Sequence, residues 1–323
     1  YNPLRVAPQL DATLATLQAA GAFNLPGMLP IGVFQQNLEF NTPAAMAAPL
    51  EVKRSWNDFS PRVVLDYKLT PHVMLYASAA KGYQAGGFNA LQPDAIYQPE
   101  TVWNYEAGFK SYFPDYRLLL NASLFYYRYS NLQSLTLDAN GNGALPQYVV
   151  TTSDQHAKGL ELEIHWQATK SLRFNLAATY IDATYQRYID SQGADLSGQP
   201  VGEPLWSAAA GLDNVWSGVA GGELDLTVQQ AFRGRTRCNG DSVFQGQCLS
   251  TPTFTVGKAQ QRTDLRLGWA SSNTPWSVAV FVNNVFDKRY VQGISNISAT
   301  LLGTPYASIT MPRTWGIEVA VDF

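Results

Sequence analysis

From about Trp56 onward, apolar residues recur at every second position rather than every ~3.6, and the runs outlast the ~5–6 residues of an ordinary soluble strand. Long β-strands are the expected element. In five of them one set of alternate positions reads Val63, Leu65, Tyr67, Leu69; Trp103, Tyr105, Ala107, Phe109; Leu160, Leu162, Ile164, Trp166; Thr263, Leu265, Leu267, Trp269; and Trp315, Ile317, Val319, Val321, Phe323. None of these is charged. The interleaved positions include Arg62, Asp66, Lys68, Glu106, Lys110, Glu161, Glu163, Asp264, Arg266, Glu318 and Asp322, so more than half of that face carries charge. A soluble sandwich also alternates dry and wet faces, so alternation alone does not separate it from a membrane wall. The aromatic residues favour the wall. Tyr67, Phe109, Trp166, Trp269 and Trp276 all sit beside short turns, like an aromatic girdle at one membrane interface.

The connections carry the same message. Short turns at Leu69 to His72, Phe113 to Tyr116, Ala168 to Ser171, Ser217 to Gly222 and Ser271 to Pro275 alternate with long loops. The long loops run roughly from Gln84 to Pro99, Asn131 to Gln155, Tyr188 to Pro204, Arg235 to Ala259 and Gln292 to Thr310. Outer-membrane barrels have this asymmetry, with short periplasmic turns and long extracellular loops. The expected fold is all-β, a transmembrane antiparallel up-and-down barrel, of which eleven strands are placed. Parity puts the C-terminus in the periplasm and Trp56 on the long-loop side. Single-chain bacterial barrels have an even strand count, so an odd number is expected upstream, with Tyr1 inside an extracellular loop of a larger barrel. Residues 1–55 are expected to be that loop segment. Leu10, Leu14 and Leu17 at helical spacing with Gly21 behind them indicate a short helix from about Pro8 to Ala20, either packed over the barrel mouth or moving as a lid.

Composition now has a cause. Charged residues make up 15% and aromatics 12% of the 323 residues, whereas about a quarter of a soluble chain is charged. Lipid on one side of every strand excludes charge there. The length that would ordinarily suggest two soluble domains fits one incomplete barrel wall, residues 56–323. Lys and Arg number 22 against 25 Asp and Glu, a net charge of -3, so no basic excess is available for nucleic acid. No apolar stretch reaches the ~18 residues of a membrane-spanning helix.

Candidate chemistry is sparse. Cys238 and Cys248, the only cysteines, lie in a loop that parity places outside the cell, an oxidising location, so a disulfide is expected. His72, His156 and His165 are scattered, so a metal site is rejected and no cofactor is expected. Arg233, Arg235 and Arg237 alternate as their strand leaves the membrane, which would form a positive stripe for an anionic ligand, or a solvated rim touching anionic lipid head groups. Tyr83, Gln84, Phe88 and Asn89 leave a strand around Gly86-Gly87. Their aromatics serve either as interface anchors or as contacts for a hydrophobic ligand. Glu161 and Glu163 share one lumenal face, as a charged wall or an acid pair. There is no Gly-x-Ser-x-Gly, no His-Glu-x-x-His, and no convergent nucleophile and base, so no enzyme is expected.

Three stretches together resemble the C-terminal barrel of TonB-dependent receptors. They are Tyr76 to Tyr83 (YASAAKGY) with Gly86-Gly87-Phe88-Asn89, Pro99 to Lys110 (PETVWNYEAGFK), and, most specifically, Val282 to Tyr290 (VNNVFDKRY). The final strand, Trp315, Ile317, Val319, Val321 and Phe323, is similar to the signal read by the barrel-assembly machinery. The resemblance implies a 22-stranded barrel around a plug domain, of which this chain would supply strands 12 to 22. It implies an outer-membrane receptor that imports a scarce, bulky small-molecule nutrient, usually a ferric siderophore, energised by the TonB complex through an N-terminal plug and box absent from these residues. A passive porin-type channel is the alternative reading, and a barrel enzyme the third.

Overall fold

The computed structural model describes residues 12, 16, 52–89, 92–138, 147–251, 254–296 and 306–321. Its strands are β1 (Arg62–Thr70), β2 (Val73–Gln84), β3 (Gly87–Asn89), β4 (Gln92–Tyr97), β5 (Glu100–Phe113), β6 (Leu118–Asp138), β7 (Gln147–Gln167), β8 (Leu172–Arg187), β9 (Trp206–Val219), β10 (Gly222–Arg233), β11 (Leu249–Ser250), β12 (Thr255–Val256), β13 (Gln260–Ser271), β14 (Trp276–Asn283), β15 (Val291–Ile294), β16 (Ala307–Ile309) and β17 (Thr314–Val321). One short helix, α1 (Gly240–Phe244), follows β10.

Eleven of the strands form one sheet in the order β1-β2-β5-β6-β7-β8-β9-β10-β13-β14-β17, each paired antiparallel with its neighbour in sequence order along the wall. This is an up-and-down meander whose two edges, β1 and β17, stay unpaired among the described residues. Short turns join the strands at one end. Between β9 and β10 the two connecting residues, Ala220 (φ 49°) and Gly221 (φ 74°), both take left-handed backbone, the geometry that matches the right-handed twist of a two-residue hairpin.

Burial is inverted relative to a soluble protein. Leu65 is 69% exposed, Leu124 63% and Ile317 64%, and they lie on the uncharged alternate face, where lipid takes the place of a core. Register keeps that face continuous: Leu65 pairs with Ala77, Ala107 with Leu124, Leu124 with Leu160, and Val280 with Ile317. The opposite face is polar and internally bonded. The Tyr76 hydroxyl donates to Glu106, Asn121 Nδ2 donates to Glu163 at 2.8 Å, and Arg266 bridges Asp225 at 2.8 Å and Glu318 at 3.4 Å. Gly159 has no side chain because Phe125 crosses it; a Cβ there would sit 2.2 Å from the Phe125 ring.

Two loop expectations change. Asn131 to Gln155 is not an irregular loop: β6 and β7 continue upward as a paired ribbon to Asp138 and Gln147. Asn131, at φ 53°, makes a bulge between Tyr129 and Leu132, which breaks the alternation without breaking the strand. The loops from 235 to 259 and from 292 to 310 are also partly ordered, supplying a four-stranded sheet in the order β11-β12-β15-β16. Of the helix expected between residues 8 and 20, only Ala12 and Thr16 are described; both are helical, and the Thr16 hydroxyl donates to the Ala12 carbonyl at 2.8 Å. The rest of that segment, and Phe323, lie outside the described residues.

Candidate functional site

Apart from scattered wall positions such as Ser111, Phe125 and Ala279, the buried side chains among the described residues gather at the long-loop end. Tyr185, Tyr188 and Leu196 form a small core with Val201 against it, and Tyr185 and Tyr188 stack at 4.7 Å. Asn239 caps α1: its side chain accepts from the Ser242 amide at 2.8 Å while the Ser242 hydroxyl accepts from the Asn239 amide at 2.9 Å. That cap fixes Asp241 against Tyr188 (3.4 Å) and Gln245 (3.3 Å). Burial pushes the Asp241 carboxyl above its ordinary range, and burial beside Asp241 raises Tyr188. Gln245 ties the helix to the β6–β7 ribbon, its Oε1 accepting from the Leu137 amide (3.2 Å) and from Asn296 (3.0 Å).

Cys238 and Cys248 form a disulfide that spans α1, so the helix sits inside a closed covalent loop. Between this loop and the wall lies a polar cavity of about 270 Å³. Ser134, Thr136, Ser153, Gln155, Tyr188 and Asp241 line it. Ser153 and Gln155 occupy the same alternate positions of β7 as Glu161 and Glu163, so the cavity opens on the lumenal side. It offers hydroxyl, amide and carboxyl groups to a hydrophilic ligand. A second cavity, about 360 Å³, lies where β10, β13 and the 284–290 turn meet, and Arg233, Arg262, Lys288 and Tyr290 line it. Among the described residues no three His, Cys, Asp or Glu side chains gather as a metal site.

The nominated residues divide sharply. β10 ends at Arg233, so the alternation of Arg233, Arg235 and Arg237 does not continue as one stripe. Arg233 reaches Glu203 only loosely, at 3.7 Å, and lines the second cavity. Arg235 is exposed and makes no ion pair among the described residues. Arg237 is occupied: its guanidinium donates to Asp182 (2.6 Å), the Ala183 carbonyl (2.7 Å) and the Glu203 carbonyl (3.2 Å), pinning the loop to β8. Asn89 is also spent on structure, since its amide both accepts from the Val150 N–H (2.6 Å) and donates to the Val150 carbonyl (3.3 Å), splicing β3 onto β7. Gln84 donates to Gln133 (3.1 Å), Phe88 packs on Trp56 (6.3 Å between centroids), and the Tyr83 hydroxyl is buried with no hydrogen-bond partner among the described residues. Asp241, Gln245 and Tyr188 carried no sequence signal beyond belonging to loops. Asn239, three residues before Ser242, is the one cue, as a helix cap.

The Val282 to Tyr290 stretch acts as an anchor, although Lys288 and Tyr290 also line the second cavity. Asn284, 4% exposed and at φ 52°, accepts from the Lys288 amide (3.0 Å) and donates to the Lys288 (2.9 Å) and Met311 (3.1 Å) carbonyls. Asp287 accepts from the Arg313 amide (2.9 Å), and Tyr290 exchanges hydrogen bonds with Thr310 (3.0 and 2.9 Å). Those bonds tie the top of β14 to the start of β17.

The barrel family described as TonB dependent receptor-like, beta-barrel, matches residues 34–285. The chain is 28% identical over 258 residues to the metal-pseudopaline receptor of Pseudomonas aeruginosa, covering 79% of this chain and 33% of that protein. It is 28% identical over 276 residues to the ferrioxamine receptor of Yersinia enterocolitica, covering 84% and 34%. Among solved structures, the ferric yersiniabactin uptake receptor of Yersinia pestis superposes with a TM-score of 0.62 at 22% identity, over 81% of this chain and 37% of that one. The chain thus spans about a third of the length of the curated relatives it matches. With a family match over most of its length, an open antiparallel wall and a lipid-facing apolar surface, the chain belongs to the TonB-dependent receptors, as part of their outer-membrane β-barrel.

Proposed function

We propose that this chain is the wall and extracellular vestibule of a receptor that imports a scarce, bulky, hydrophilic nutrient across the outer membrane, with a ferric siderophore as the leading class. The observation that carries the reading is the family match together with a lumen lined by hydrogen-bonded charges, a polar cavity beside Asp241 and a second, largely apolar cavity that Arg233 and Arg262 edge with positive charge. Arg233 and Arg235 are the two nominated cations left available, and they would meet the anionic groups of such a chelate; Tyr83, Gln84, Phe88, Asn89 and Arg237 would shape the loops around it. The unpaired edges of β1 and β17 would be completed by further strands of the same receptor. TonB would act through a plug those residues accompany, and the edge strand carrying Trp315, Ile317, Val319, Val321 and Phe323 would be read by the barrel-assembly machinery.

The experiment is uptake of radiolabelled ferric chelates by cells expressing the full receptor, with and without TonB. Uptake that vanishes on TonB deletion is expected. Uptake indifferent to the deletion, with open conductance in a planar bilayer, would establish the passive channel instead.

A further inference from the structure

We propose that the lipid-facing side of β6, β7 and β8 holds a phosphate group of an anionic lipid in the outer leaflet, gripped by Arg128 and Lys158. This site is on the outside of the wall, independent of the imported nutrient. Three registered rows cross the strands here. The lowest is apolar, with Ala107, Leu124, Leu160 and Tyr180 side by side. The middle row is Tyr105, Tyr126, Lys158 and Asp182, and the upper row is Trp103, Arg128, His156 and Thr184. All occupy the alternate positions that face lipid lower down.

Height fixes what these side chains meet. Leu118 pairs with Trp166 at the short-turn end, and Arg128 pairs with His156 ten residues further along each strand (118 to 128, 166 to 156). Ten residues at ~3.3 Å span about 33 Å of strand, which at a tilt of roughly 40° is about 25 Å, the height of the apolar band. Arg128 therefore stands at the outer head-group level with Lys158 one row below it, and aromatic rings flank both in the same two rows: Trp103 stacks on Tyr105 (6.0 Å), and Tyr126 lies against Tyr105 (6.4 Å) and His156 (6.3 Å).

Charge here is left uncompensated. Asp182 is the one carboxylate in the rows, and it is taken by Arg237 at 2.6 Å. Lys158, 69% exposed, reaches the other Asp182 oxygen only at 3.9 Å. Arg128 is exposed and makes no hydrogen bond or ion pair among the described residues. Two cations projecting from an aromatic ledge at the head-group plane are chemically matched to a lipid phosphate, which a guanidinium binds bidentately.

The test uses the full receptor purified in non-ionic detergent and titrated with phosphatidylglycerol or phosphatidylcholine, bound lipid being counted by native mass spectrometry. R128Q/K158Q should weaken phosphatidylglycerol binding roughly thirtyfold and leave phosphatidylcholine binding unchanged. R187Q, which removes a cation already paired with Asp154 at 2.9 Å, should change neither. Should the double variant lose the heat-modifiable band of a folded barrel, R128Q alone decides, with about a fivefold loss expected. Unchanged phosphatidylglycerol affinity in R128Q overturns the site, as does equal competition by inorganic phosphate, which would make the ligand a free anion rather than a lipid.

Discussion

Leu124 offers the sharpest test of the membrane reading. It is six residues along β6 from Leu118 (118 to 124), so at ~3.3 Å per residue and a tilt of roughly 40° it lies about 15 Å above the short-turn end, near the middle of a ~25 Å apolar band. It is 63% exposed and pairs with Leu160 on the same face. An arginine there should cost about 2–4 kcal/mol, because no water reaches its guanidinium. Two residues higher, at the level of Lys158, Tyr126→Arg should cost only ~0–1 kcal/mol, since the long side chain reaches the head groups. If the same sheet stood in water, Leu124 would be an ordinary surface residue and its replacement would stay within about 0.5 kcal/mol. Equilibrium unfolding of the full receptor in phospholipid vesicles, monitored by tryptophan emission, measures both. Equal costs at the two positions, or a near-zero cost at Leu124, would refute the depth assignment and with it the lipid-facing wall.

Further outcomes follow from the loops and the anchor. Asn284→Ala should destabilise the barrel by about 2–3 kcal/mol, because it orphans buried backbone groups of Lys288 and Met311; denaturant unfolding reads this directly. Removing the disulfide with C238S/C248S should loosen the α1 loop by roughly 2–3 kcal/mol, seen as faster extracellular proteolysis on intact cells with the barrel still folded. The raised Asp241 carboxyl binds its proton more tightly in the packed loop than in an opened one. Loop stability is thus fully present below the ordinary carboxylate value of 3.8 and falls as pH rises through the higher native value. Asp241→Asn should abolish that dependence and slow hydrogen exchange around Tyr188 at neutral pH; unchanged exchange would contradict it.

The wall was legible in the sequence because lipid imposes a binary rule on each residue. Val63, Leu65, Tyr67 and Leu69 face out and Asp66 faces in, and a period of two survives any local irregularity as long as the strand is inside the membrane. Above the membrane that rule lapses, and legibility lapses with it. At Asn131 one left-handed residue shifts the alternation, so a paired ribbon reads as a loop; Asn89 and Arg237 carry the groups a ligand site would need but spend them on Val150 and Asp182, a fact set by neighbours remote in sequence. The converse holds for Asn284. Its stretch was the strongest family signal, and Asn284 and Asp287 in it hold strands together, because an antiparallel wall must anchor its extracellular returns. Wall architecture constrains every such barrel alike, whereas ligand contacts are free to differ. Most residues that identify this family are therefore poor guides to a ligand. The cavity beside Asp241 is assembled largely from residues that no local pattern marks, whereas the one beside Arg233 draws on β10, β13 and the 284–290 turn.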